Sequence, residues 1–552
     1  MTTEVTGAIS DPRIVRAARH LRWVSWGIEA GLYLVLAGSV AAFGSVHEWT
    51  RVPLWLASLA LGFLLLERTL VVVSLRRLLG RRRFAFHATG LWLVLDEESP
   101  YGITTWSFDL DRPLLPAGPL LLPGTAFVAL ILAQLLPLPP ALAGFLSGRQ
   151  AEMIREGATG WRSLSVSPPD TLRGLAFVAS ALVLHLASGA LFDRRVCRER
   201  FRRYLSLLGL VLAALALVQM ASGTRLIYGF FKPLEVLDGS LTIFGPFVNR
   251  NHFAAYMLMV APIALGVLVR AARRYRSRLG LRPNLRRCLV GLQSPEGSAL
   301  IYASLPALAA VAALVASTSR GGLLAFVASL LLAGVVVGGR GRARLWLFPA
   351  ALAAMAVFWF GTGRIQARFL ASTREAPGRT IVWRDTLSRM GGLWLVGSGF
   401  DTFGSAMSRA TAWALPKGAT PWSEPYETSV ALSPRLGFRA HLGTPGLTWY
   451  REAHNDYLQL LVETGAPGLL LGLLALAAIF RRVRGDPWLL AALAGVSLHS
   501  FVEFGMQVPA IVMLFVVLAA LRPQSERGSG DPASSPATAD AWATEGPVSD
   551  RR

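Results

Sequence analysis

The chain is 552 residues long, 53% hydrophobic and only 16% charged, against about 25% charged in an ordinary soluble domain. With a mean hydropathy of +0.47, the apolar excess is too large for globular cores and requires a bilayer. The net charge of +22 falls in short arginine clusters between apolar runs, a pattern of cytoplasmic anchors that excludes a nucleic-acid surface.

Residues 1–23 read as a cytoplasmic N-terminus. Apolar runs of the roughly 17–25 residues that cross a bilayer as a helix follow at 24–43, 53–75, 118–138, 172–192, 204–222, 252–271, 298–317, 321–339, 345–361, 466–480, 487–505 and 507–521. The expected fold class is therefore an all-α polytopic membrane protein of about 12 transmembrane helices. Its parts are N-terminal spans over 24–222, spans with motif-bearing outward loops over 223–361, and C-terminal spans over 466–521. Residues 362–465, 104 in all, form one large outward loop between spans nine and ten. The first run is too long for the apolar part of a cleaved signal. Stretch 84–117 reads as a short cytoplasmic hairpin or an interfacial segment. The pairs of spans around Gly321 and around residue 506 read as tight hairpins. The tail, 522–552, is rich in Ser, Pro, Ala and Gly and reads as disordered and cytoplasmic.

Arginine clusters at Arg13–Arg22, Arg76–Arg83, Arg194–Arg203, Arg273–Arg287, Arg340–Arg344 and Arg481–Arg484 fall in every second loop. Positive loops face the cytoplasm, so both termini are expected inside and the large loop outside. The two cysteines, Cys197 and Cys288, lie in those basic loops. They are too few for a disulfide framework or a cysteine zinc site.

Three polar motifs gather on the expected outer face. At the start of span six stands Phe247-Val-Asn249-Arg250-Asn251-His252. Asn is a strong N-cap and a helix start favours anions, although a cap with a snorkelling arginine would also account for it. Ser317-Thr-Ser319-Arg320-Gly321-Gly322 turns between spans seven and eight. Its arginine has no acidic neighbour in sequence; the planar fork suits a diphosphate, and a lipid-headgroup anchor is the plainer alternative. The third motif is His454-Asn455-Asp456-Tyr457-Leu-Gln459 with Glu463-Thr-Gly465-Ala-Pro467. Gly465 and Pro467 look like a helix stop, and Asn455, Gln459 and Glu463 make one polar stripe. His454 sits at the N-terminal helix end, where the dipole disfavours a protonated ring. It is thus either a base or a capping histidine. Glu503, expected in span eleven beside the outer face, is a carboxylate that could orient His454, pair with an arginine, or cap the hairpin. His185 and His499 lie in apolar runs and read as packed groups. No metal-ligand spacing occurs.

These motifs, in this order, resemble the bacterial O-antigen ligase/polymerase superfamily of membrane glycosyltransferases. The likeness runs from about Phe244 to Pro467, roughly 40% of the chain. It includes Arg379-Thr-Ile-Val-Trp383-Arg-Asp385, which reads as an amphipathic helix, and Gly397-Ser-Gly-Phe-Asp-Thr-Phe403. The resemblance implies transfer of a glycan from a polyprenyl-diphosphate donor to a glycan or lipid A-core-type acceptor at the outer face of the plasma membrane. It implies His454 as the base and Arg320 and Arg379 as diphosphate holders; Arg250 joins them by position. Asn251, Asp456, Glu463 and Glu503 are expected to support them. Neither cofactor nor metal is expected. Ligases, polymerases and protein-glycosylating relatives would use the same residues, and a membrane transporter is the competitor from another class.

Overall fold

The computed structural model describes residues 5–87, 90–94, 107–114, 118–224, 226–231, 243–280, 284–336, 379–380, 382–412 and 452–523. Span 345–361, the irregular stretch 415–450 and most of the tail lie outside the described residues.

The described chain is mainly helical. In order, β1 (Val5–Ala8) leads into α1 (Pro12–Ala41) and α2 (Glu48–Leu79), then β2 (Arg83–His87), β3 (Gly90–Val94) and β4 (Ser107–Asp109). There follow α3 (Leu121–Leu135), α4 (Pro140–Leu146), α5 (Gly148–Arg155), α6 (Pro168–Leu191), α7 (Arg195–Ser222), α8 (Arg250–Leu279), α9 (Leu285–Gly291) and α10 (Pro295–Ala316). Next come α11 (Arg320–Val336) and α12, helical at 379–380 and 382–388. The last are α13 (Phe403–Ala412), α14 (Asp456–Val483), α15 (Pro487–His499) and α16 (Pro509–Ala520). Proline opens α1, α6, α10, α15 and α16, where its missing N–H breaks no helical hydrogen bond.

Seven helices, α1, α2, α6, α7, α8, α10 and α14, are long and apolar enough to cross a membrane. The expected runs 118–138, 321–339, 487–505 and 507–521 fall on the shorter helices α3, α11, α15 and α16. The last two have 13 and 12 residues, or about 18–20 Å at 1.5 Å per residue. Residues 500–508 between them leave the α-helix, which corrects the expectation that Glu503 lies within a span. The cause is local: Asp456 Oδ2 accepts the Met506 N–H at 3.0 Å, and Pro509 restarts the helix.

Among the described residues one small sheet packs against α1 and α2 through Phe84, Leu91 and Phe108, with strand order β1-β3-β2-β4 and every neighbour antiparallel. The all-α description therefore applies to the spans. Of the stretch 84–117, read as a short hairpin or an interfacial segment, β2 and β3 pair as a hairpin, with Phe84 opposite Leu93 and His87 opposite Gly90.

Helix α8 is the centre of the bundle. Residues from His252 to Ala264 are buried without a break, and α7, α10, α15 and α16 pack around it. A helix apolar all round belongs inside. At 30 residues it is about 45 Å long, so its two ends are separate environments. Near the Arg270 end, Arg202 and Asp486 form a buried pair at 2.6 Å. In the same basic region Arg112 and Arg522 both reach Asp193. The site lies at the other end, where Asn249 caps α8. There a second apolar cluster, Val166, Val382, Met390, Leu393, Phe403, Met407, Ala453 and Val462, seats α12 and α13 against the start of α14.

Candidate functional site

The site is built on the turn 499–504. Glu503 is 2% exposed, yet its carboxylate gathers three distant segments. Oε1 accepts from Asn251 Nδ2 at 2.6 Å and from the Arg379 guanidinium. Oε2 lies 3.6 Å from His454 Nδ1, within ion-pair range and too long for a hydrogen bond. Burial raises the Glu503 carboxyl, but the His454 ring and the Arg379 guanidinium outweigh it and hold the group at about 2. Glu503 is therefore a carboxylate at any physiological pH.

Phe504 completes the pocket floor. Its ring meets His454 edge-on at 4.9 Å and His252 edge-on at 4.7 Å. The Arg320 hairpin packs on the same turn: a Cβ at Gly321 would lie 3.0 Å from Val502 and 3.2 Å from His499. Thr318 turns that hairpin with φ 53°, and Arg320 opens α11, half-buried. Arg250 stands at the start of α8, one residue before Asn251. Motifs separated by some 250 residues thus meet at one helix end.

The third motif divides between two tasks. Asn455 caps α14 by accepting the Leu458 N–H at 3.0 Å, and Asp456 ties the 500–508 turn to the helix through the Ser500 carbonyl and the Met506 N–H. Gln459 and Glu463 face away from Glu503. Glu463 Oε1 and Oε2 accept the N–H groups of Phe403 and Asp401 at 3.1 and 3.0 Å, capping α13 as an acidic group should. Its support for His454 is thus indirect. Asp401, nearby and with φ 64°, is pushed up by burial to about 7.

Gly465 ends the first helical segment of α14, as the sequence implied. It breaks the helix at φ 66° and the chain continues directly as helix. The break lets the Ala466 N–H reach the Trp394 carbonyl at 2.8 Å, which locks the outer segment to the span.

Sequence reasoning missed four contributors. Gln134 of α3 donates to the Val396 and Glu463 carbonyls at 2.7 and 2.9 Å and accepts the Phe400 N–H. Trp383, Phe504 and His499 had no distinguishing spacing. His499 and His185 are both buried with Nε2 unpaired among the described residues, and His185 meets the Val516 carbonyl through Nδ1 at 2.8 Å. Among the described residues no cluster of His, Cys, Asp and Glu could hold a metal.

The arrangement offers a histidine backed by a buried carboxylate, with a half-exposed arginine on the same carboxylate. Such a set can take a proton and hold an anion. No family model matches the chain, and no curated protein matches it either.

Proposed function

We propose that the chain is a membrane glycosyltransferase of the O-antigen ligase kind, moving a glycan from a polyprenyl-diphosphate carrier to an acceptor hydroxyl at the outer face of the bacterial plasma membrane. The observation that carries this reading is the meeting of Asn251, Arg379 and His454 on Glu503. His454 turns Nδ1 toward the carboxylate and leaves Nε2 for the acceptor. The acceptor proton passes to Nε2, the hydroxyl oxygen bonds to the anomeric carbon, and the bond from that carbon to the phosphate oxygen breaks. The departing diphosphate is already an anion and needs no proton, only cations. Arg379 is 39% exposed on its side chain, so donors beyond those used by Glu503 face outward. Arg320 and Arg250, at the same end of the bundle, are the further cations.

A transporter would instead present unpaired ionisable groups along a path through the bundle. Glu29 is paired with Arg200 at 2.6 Å and Glu67 with His20 at 2.8 Å. Arg68 reaches the Ala190 carbonyl. The two paired carboxylates favour the enzyme reading, while Arg68 Nε and His185 Nε2 are buried without a hydrogen-bond partner among the described residues.

The test is transfer in vitro: purified protein, a polyprenyl-diphosphate oligosaccharide, and separate lipid A-core, oligosaccharide and protein acceptors. Glycan transfer to one acceptor class is the expected result and also names that class. No transfer to any of them, with the donor bound and intact, would overturn the reading.

Orientation has its own check. In a variant without Cys197 and Cys288, a cysteine placed at Ser423 should react with an impermeant thiol reagent in intact cells. Native Cys288 should react only after permeabilisation. The reverse pattern would put the His454 end inside.

A further inference from the structure

The backbone at His454 is held in an unusual way. His454 has φ 52°, the left-handed region that a residue with a β-carbon rarely adopts. Something must impose it. Both polar groups of the preceding residue, Ala453, are taken by side chains rather than by regular structure. Trp383 Nε1–H donates to the Ala453 carbonyl at 2.9 Å, and the Ala453 N–H donates to Gln459 Oε1 at 3.1 Å. Ala453 itself is fully buried. On the far side, Asn455 is fixed as the N-cap of α14. His454 is therefore the one free joint between two clamped residues, and the left-handed turn is how the chain closes that gap.

Trp383 sits one turn after Arg379 on α12. The indole hydrogen bond thus ties the helix that carries Arg379 to the segment that carries His454.

We propose that Trp383 is a positioning residue for His454: its N–H, with Gln459 on the other side of the same residue, Ala453, sets the backbone that aims the imidazole at Glu503. The proposal rests on His454 being the base. A misplacement of about 1 Å at a reacting group can lower a rate roughly 100-fold, so loss of this clamp acts on turnover.

The test is Trp383→Phe, which keeps an aromatic ring and removes the N–H. Turnover of the bound donor should fall about 10- to 100-fold, with KM for the lipid-linked donor nearly unchanged. In a His454→Gln background the same substitution should cost nothing further, because its effect runs through His454. Full turnover in Trp383→Phe would overturn the proposal. So would a loss of equal size in the His454→Gln background, which would make Trp383 a general support of the fold. If Trp383→Phe fails to insert, the benzothienyl analogue of tryptophan at 383 keeps the shape and lacks only the N–H, and the same outcomes apply. His454→Gln that transfers at the wild-type rate would remove the base itself, a failure distinct from an inactive His454→Gln beside a fully active Trp383→Phe.

Discussion

Replacing His454 by Gln should lower glycan transfer by about 10²–10⁴-fold, the usual contribution of a general base, while donor binding and membrane insertion are kept. Glutamine can still pack against Phe504 and approach Glu503, which is where the histidine ring now lies. It cannot accept the acceptor proton at working pH. A histidine serving only to shape the loop would give the opposite result, with glutamine close to wild type and alanine reducing expression. The pH profile adds a second measurement. Glu503 is held at about 2, so it keeps its charge from pH 5 to 8 and contributes no inflection there. Its depressed value means that its stabilising charge is present above the ordinary carboxylate range and is lost only as pH falls toward 2. An inflection in the wild-type rate between pH 8 and 5 would therefore not come from Glu503. Retained turnover in a well-inserted His454→Gln protein would reject the base.

Much of this site could be read before any coordinates, because its motifs are local. Asn249 is a cap by residue type and position and caps as the sequence implied, whereas Asn455, expected in the polar stripe with Gln459 and Glu463, is the N-cap of α14 instead. The long spans are legible for a simple reason: a bilayer demands uninterrupted apolar length. The same signal misleads at 487–505, where hydropathy continues through the turn and only the Asp456 carboxylate and Pro509 reveal that the helix has ended. Within the sheet, β2 and β3 are short runs of mostly apolar residues, but β1 and β4 have only four and three residues and carry no pattern. Gln134 was invisible for another reason. Its partner Glu463 is 329 positions away, and one buried amide in an apolar helix announces nothing about which loop it holds. Glu503 was singled out as an unexplained carboxylate with three separate roles open. Its position on a turn lets one carboxylate orient His454 and pair with Arg379 at once, a sharing that sequence spacing does not encode.

That sharing sets the outcome expected for Glu503→Gln. The carboxamide is nearly the same size but has lost the charge that Arg379, Asn251 and His454 all address. Its oxygen can take the place of Oε1 and still accept from Arg379 and Asn251, which leaves the NH₂ group facing His454 Nδ1. Turnover should fall about 10²–10⁴-fold, the scale seen when a histidine base loses the carboxylate that fixes its tautomer. Donor affinity should move the other way. With its internal counter-charge gone, Arg379 has more of its field for an incoming diphosphate, so inorganic pyrophosphate should bind as tightly as to the wild type or more tightly. The split between lost turnover and retained anion binding is the diagnostic feature. If Glu503 served only to hold Arg379 in place, pyrophosphate binding would weaken and the turnover of bound donor would stay near wild type. Glu503→Asp separates the two duties further, because a carboxylate shortened by one methylene, about 1.5 Å, keeps the charge but cannot reach Arg379, Asn251 and His454 together. Retained anion binding without recovery of turnover in that variant would place the catalytic requirement in the contact with His454.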